Sequence, residues 1–280
     1  MASTEHGIVV GYDGSSSAQE ALRWAAREAR DRGVALTVCQ AWMPGSAGPP
    51  PGAGQEDLAR QSARWILADA KCMTDVTTIR QLLVEGPAAG ALCTCSTGAE
   101  MLVVGSRGFG GLSGQLLGSV SLQVAAHASA PVVVVRGRWR PAGGHMPGHV
   151  VVGVDGSAAA EEALNFAGDE AALRRVPLTA VCALADAAGD LGSAYGIAED
   201  FERSVITWEK DHPDVTVHRQ VTEGSARSAL LAAAHDAQLL VLGRRGRGGL
   251  PRMALGSVSQ TLLSHAPCPI AIVRSQPRAT

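Results

Sequence analysis

Two segments of this chain, GSRGFGGLSGQLLGS and GRRGRGGLPRMALGS, share the spacing Gly-x2-Gly-x9-Gly-Ser and start 138 residues apart. In the first, Gly105 and Gly108 lead to Gly118-Ser119; in the second, Gly243 and Gly246 lead to Gly256-Ser257. One match would mean little in a chain with 33 glycines. Two in register require a duplicated domain, and the duplication runs well beyond the glycines. IVVGYDGSSSAQEAL, from Ile8, matches VVVGVDGSAAAEEAL, from Val150, and sets Asp13 opposite Asp155. VALTVCQAW matches VPLTAVCAL, EGPAAGAL matches EGSARSAL, and HASAPVVVVR matches HAPCPIAIVR. The 280 residues therefore divide into two domains of common size. We place them at residues 1–138 and 149–280, joined by a linker over 139–148 inside the Gly- and Pro-rich GRWRPAGGHMPG.

Within each half, apolar β-branched runs alternate with helical patterns. In the first half strands are expected near 7–12, 34–41, 76–84, 100–105 and 131–136, and helices near 16–32, 55–73, 87–98 and 117–128. Runs such as MLVVG and PVVVVR are continuously apolar. That is the mark of strands covered on both faces in a parallel sheet. The expected class is α/β, an open parallel sheet with right-handed crossovers in each half. Ala21, Leu22, Ala25 and Ala29 give the first helix an apolar stripe to lay on that sheet.

Each glycine loop follows an apolar strand and opens a helix, so it sits where unpaired backbone N–H groups and a positive dipole end attract phosphate. Glycines at 105 and 108 allow positive φ and close backbone approach. Ser119 and Ser257 are expected to cap the helix or bond a phosphate oxygen. Arg107 and Arg245 can add charge-assisted contacts. No Lys-Ser/Thr closes either loop, so neither is a Walker A loop. The first strand ends in Asp-Gly-Ser, not in the dinucleotide fingerprint. Asp13 and Asp155 have two readings: an N-cap for the next helix, or a carboxylate placed for a ribose hydroxyl.

Other features restrict the function classes. A net charge of −2 lacks the footprint of a nucleic-acid binder. No run of about 18 uncharged apolar residues predicts a membrane span, and the N-terminus carries no secretory pattern. Six cysteines without a Cys-x-x-Cys pair fit a reducing cytoplasm, with Cys39, Cys182 and Cys268 read as buried thiols in apolar strands. His127 and His265 fall at helix ends before Ala-x-x-Pro, where a histidine suits the dipole. No nucleophile–base pair stands out, so an enzyme is not the favoured reading. The Pro- and Gly-rich stretch from Met43 to Gly54 follows the second strand and is expected to form a flexible loop at the strand carboxyl edge, with a mobile lid as the alternative.

The glycine pattern, with the early V-x-V-D-G-S and the late H-A-x-x-P-V-x-V-V-R, resembles the universal stress protein family in its ATP-binding branch. The similarity spans nearly all of both halves. It implies two Rossmann-like domains with strand order 3-2-1-4-5, which brings Asp13 beside the Gly105 loop and Asp155 beside the Gly243 loop. It also implies one ATP per domain, with or without Mg2+. The first site would comprise Gly11, Asp13, Ala41, Gly105, Ser106, Arg107, Gly108, Gly118, Ser119 and Val120. The second would comprise Gly153, Asp155, Ala183, Gly243, Arg244, Arg245, Gly246, Gly256, Ser257 and Val258. Where the first loop has Ser113-Gly114 the second has Pro251-Arg252, which sets the second site apart. The resemblance further implies an internal pseudo-dimer through the last strands and leaves a homodimer open. The expected function is a cytoplasmic, nucleotide-dependent stress-response regulator. The alternatives are a slow ATPase or nucleotidyl transferase, or an interaction scaffold with structural nucleotide.

Overall fold

The computed structural model describes residues 6–43, 55–72, 76, 78–108, 117–136, 148–184, 191–247 and 253–275. The chain separates into two compact units, Met1–Val135 and Arg136–Thr280.

The first unit alternates strand and helix throughout. Its elements are β1 (Ile8–Gly11), α1 (Ser16–Arg32), β2 (Leu36–Trp42), α2 (Gln55–Cys72), β3 (Ile79–Glu85), α3 (Ala88–Cys95), β4 (Met101–Gly105), α4 (Ser119–His127) and β5 (Val132–Val135). All its ladders are parallel and run in the order β3-β2-β1-β4-β5. The second unit repeats the plan with β6 (Val150–Gly153), α5 (Ala158–Arg174), β7 (Leu178–Ala183), α6 (Leu191–Asp211), β8 (Val217–Thr222), α7 (Ala226–Ala233), β9 (Leu239–Gly243), α8 (Ser257–His265) and β10 (Ile270–Val273). Its order is β8-β7-β6-β9-β10. Both are the expected open parallel α/β sheet of order 3-2-1-4-5. The change of direction beside β1 and β6 opens a crevice at the strand carboxyl ends.

The core follows from the apolar runs. Every residue of Met101–Val103 and Val150–Val152 is fully buried, because helices cover both faces of the sheet. The predicted stripe of α1 is the buried one: Ala21, Leu22, Ala25 and Ala29 have no exposed surface. Small residues on that face let the helix lie close to β4. Gly105 marks the closest point, since a Cβ there would stand 2.6 Å from the backbone carbonyl of Ser17. Gly243 meets Ala159 in the same way at 2.8 Å.

Helix ends are handled unequally. Helix α1 starts on Ser15, whose hydroxyl accepts from the Ala18 amide, and stops on Gly33 at φ +68°. Helix α5 starts on Ser157 in the same manner but stops on Arg175 at φ 55°, a left-handed position that favours glycine. His127 and His265 each set Nδ1 on the carbonyl four residues earlier, at 2.9 and 2.8 Å. That is the helix-end role expected for them. Cys39, Cys182 and Cys268 are buried.

Candidate functional site

In the first unit the carboxyl ends of β1, β2 and β4 and the start of α4 enclose one cavity of about 280 Å³. This lies near the small end of ligand pockets. Of the residues expected at the first site, Gly11, Asp13, Ala41, Gly105, Arg107, Gly108, Gly118, Ser119 and Val120 line it. Ser106 does not; its amide donates to Val135 and its carbonyl accepts from Gly118 at 2.8 Å. The sequence reading missed Tyr12, Cys39, Ala88, Leu92, Val104 and Ser121 in the lining. Ala88 and Leu92 come from α3, which no glycine or charge pattern marks as a wall.

Asp13 lies outside α1. The cap is Ser15, and Asp13 Oδ1 instead accepts from the Ser15 amide at 3.0 Å. The N-cap reading of Asp13 is therefore replaced by a short turn that fixes the carboxylate at the cavity wall. Asp155 does the same with Ser157 at 3.0 Å. Its second oxygen accepts the Arg247 amide at 2.8 Å.

The glycines act through proximity. Gly105, Gly108, Gly243 and Gly246 have no positive φ, and of the two freedoms that glycine allows it is close approach that they use. A Cβ on Gly108 would stand 2.5 Å from Asp13 Oδ2, and one on Gly246 would stand 2.2 Å from Asp155 Oδ2. Each second glycine thus exists to let the loop close on the aspartate. Each first glycine lets β4 or β9 close on the helix behind it.

The helix starts also differ from the reading. Gly118 and Gly256 occupy the cap positions with no side-chain bond, and Ser119 and Ser257 are the first helical residues. Ser119 and Ser257 are therefore not caps. The back-bonding hydroxyls are Ser121 and Ser259, which donate to the carbonyls of Gly105 at 2.7 Å and Gly243 at 3.0 Å. They pin the strand end to the helix start. Gly118 and Gly256 spend their amides on Ser106 and on Arg244, the latter at 3.0 Å. The first-turn amides that follow, Ser119 to Ser121 and Ser257 to Ser259, have no intrahelical partner by geometry.

Serines at the start of α1 buttress the first loop. Ser17 Oγ accepts the Arg107 amide at 3.3 Å and lies 3.4 Å from Ser106 Oγ. The second unit has Ala159 at that position and relies on Arg247. Its guanidinium bonds Asp200 of α6 and overlies Gly156. That bond, with Arg203, holds the Asp200 carboxyl below its ordinary value. Burial, with repulsion from Arg274 and Arg245, lowers Arg244 in turn, so positive charge crowds this loop. The expected contrast between Ser113-Gly114 and Pro251-Arg252 lies outside the described residues, as do the loop over 44–54 and the linker over 137–147. Ala183 ends β7 as Ala41 stands next to the end of β2, and Gly153 ends β6; Val258 is the second residue of α8.

The profile of the Universal stress protein family matches residues 6–136 and again residues 146–274. This chain belongs to the universal stress protein family. A universal stress protein of Mycolicibacterium smegmatis is 37% identical over 98% of this chain and 99% of its own length. One from Mycobacterium tuberculosis is 35% identical, with 96% of each chain covered. Among solved structures, a universal stress protein from Archaeoglobus fulgidus shares the fold, at a TM-score of 0.74 and 21% identity over 99% of this chain and all of that one. Membership thus covers both units. Among the described residues no helix is long and apolar enough to cross a membrane.

Proposed function

We propose that each unit of this tandem universal stress protein binds ATP, with or without Mg2+, and that occupancy regulates a cytoplasmic stress response. The observation that carries this reading is the cavity of the first unit. It joins a fixed carboxylate, Asp13, to a small-residue slot at Ala41 and a glycine-lined helix start at Gly118–Val120. A ribose, a flat base and phosphates need those three surfaces in that order. Backbone amides at the start of α4 and the Arg107 side chain would hold phosphate; Asp13 would hold the ribose hydroxyls. In the second unit Asp155, the Gly243–Gly246 loop, Arg244, Arg245 and the start of α8 would do the same.

Bound ATP would supply its phosphates as the feature that distinguishes occupied from empty protein. The described residues around the cavity offer positioning and charge, and occupancy is the signal in this proposal. The domain bounds at 138 and 149 and the pairing of the last strands belong to the same proposal. Cross-linking of cysteines introduced in those two strands tests the pairing, which fails if no cross-link forms.

Equilibrium binding to a Gly108→Glu plus Gly246→Glu variant tests the central reading. Each new carboxylate would fill the loop and face Asp13 or Asp155. ATP binding should be lost while the fold persists; unchanged affinity refutes the proposal. Turnover faster than about one per second would move the reading to an enzyme.

A further inference from the structure

The first unit has a feature that the second lacks. Cys39, on β2, and Cys95, the last residue of α3, place their sulfurs 3.4 Å apart in the buried wall of the first unit. They are 56 residues apart in sequence, and both are reduced. Cys39 also lines the cavity, between Gly11 and Ala41. At the equivalent places the second unit carries Val181 and Ala233, so it cannot make this pair. The remaining α3 thiol, Cys93, is two residues from Cys95 and partly exposed.

We propose that Cys39 and Cys95 are an oxidative modification site, converted by a hydroperoxide into a disulfide within the first unit, and that the cavity is the route by which the oxidant reaches them. The Cys39 thiolate attacks the peroxide O–O bond, forming a sulfenic acid and releasing hydroxide or alkoxide. The Cys95 thiol then attacks that sulfur, forming the S–S bond and expelling water. Two thiols are oxidised, one hydroperoxide is reduced, and the two thiol hydrogens leave in water and the second oxygen product. Burial, then the adjoining Cys95, pushes the Cys39 thiol up, so thiolate is scarce and the reaction is slow.

Geometry assigns the consequence. A disulfide needs about 2.05 Å between sulfurs, so the two side chains must close by roughly the difference from the present 3.4 Å, through side-chain rotation together with approach of β2 and α3. Helix α3 carries Ala88 and Leu92, and β2 carries Ala41, all in the lining. In this proposal β2 and α3 supply part of that closure, so oxidation narrows the slot between them. If that slot takes the base, as proposed above, the first site weakens on oxidation while the second keeps its affinity. The cross-link itself does not rest on the nucleotide reading; only its effect on binding and its blockage by ligand do.

The test treats the full chain with hydrogen peroxide, with and without ATP, and digests it unreduced for peptide mass spectrometry. The expected product is a Cys39–Cys95 linked peptide with a loss of about 2 Da, reversed by dithiothreitol. It should be absent in both Cys39→Val and Cys95→Ala, which install the residues of the second unit. ATP at about ten times its Kd should slow it about tenfold. Oxidised protein should bind ATP at the first site at least about tenfold more weakly, which is a change of about 1.4 kcal/mol. Oxygen addition alone, or a link through Cys93, overturns the proposal. Formation at an unchanged rate with ATP measured as bound overturns the access route. Absence of ATP binding in the untreated protein is instead the failure of the nucleotide reading, and titration reads it separately.

Discussion

Gly108→Ala separates binding from folding at the first site. The new Cβ would stand 2.5 Å from Asp13 Oδ2, and the next atom within 4 Å is the same carboxyl carbon at 3.6 Å. The obstacle is thus the end of one side chain, and Gly108 has no positive φ to strain. The carboxylate must retreat by roughly 0.9 Å to reach the near edge of ordinary van der Waals contact, about 3.4 Å. Stability should change by less than about 1 kcal/mol, as for a surface position without special backbone. Binding should suffer more, because Asp13 would lose its aim at a ribose hydroxyl. A hydrogen bond to a charged group contributes about 1.5–3 kcal/mol, which is roughly a ten- to hundredfold weaker Kd. Calorimetric titration with ATP in a Gly246→Glu background isolates this site, and urea unfolding reads stability. Unchanged affinity with intact stability would refute the claim that Gly108 is glycine for the sake of Asp13.

Other substitutions follow from the same contacts. Gly105→Ala sets a Cβ against the Ser17 backbone at 2.6 Å, where neither helix nor strand yields cheaply. It should cost about 1–3 kcal/mol in unfolding experiments, and a neutral result would contradict the close helix–strand approach. Arg175→Gly relieves the left-handed end of α5; relief of about 1–2 kcal/mol against glycine's larger unfolded entropy predicts a net gain below about 1 kcal/mol. Burial pushes Cys268 up to about 12. Below an unfolded value near 9 the thiol is protonated in both states, so stability is complete; above it the unfolded chain ionises first, and stability falls between about pH 9 and 12. Cys268→Ala, the residue at the same place in the first unit, should flatten that alkaline fall in thermal denaturation.

The sheet was legible because its evidence is local and repeated. MLVVG and LLVLG can only be strands covered on both faces, and the alanine stripe of α1 can only face inward. The span read for α1 from sequence, 16–32, is its span in the structure. The glycine loops were legible as places where the backbone must come close, but the partner in each approach was not. Nothing in GSRGFGG says that Gly105 touches Ser17 or that Gly108 touches Asp13, since those contacts join positions about 90 residues apart. Ser121 was hidden for a different reason: two serines flank Val120, and only the helix phase decides which hydroxyl reaches back to Gly105. Cys39 and Cys95 read as unrelated thiols, because β2 and α3 meet only when the third crossover is wound.

Native mass spectrometry of the full chain titrated with ATP tests the central claim most directly. Two successive ATP additions per chain are predicted, both abolished in the Gly108→Glu plus Gly246→Glu variant. No addition at saturating ATP, or additions retained in that variant, would contradict a nucleotide site at the glycine loops.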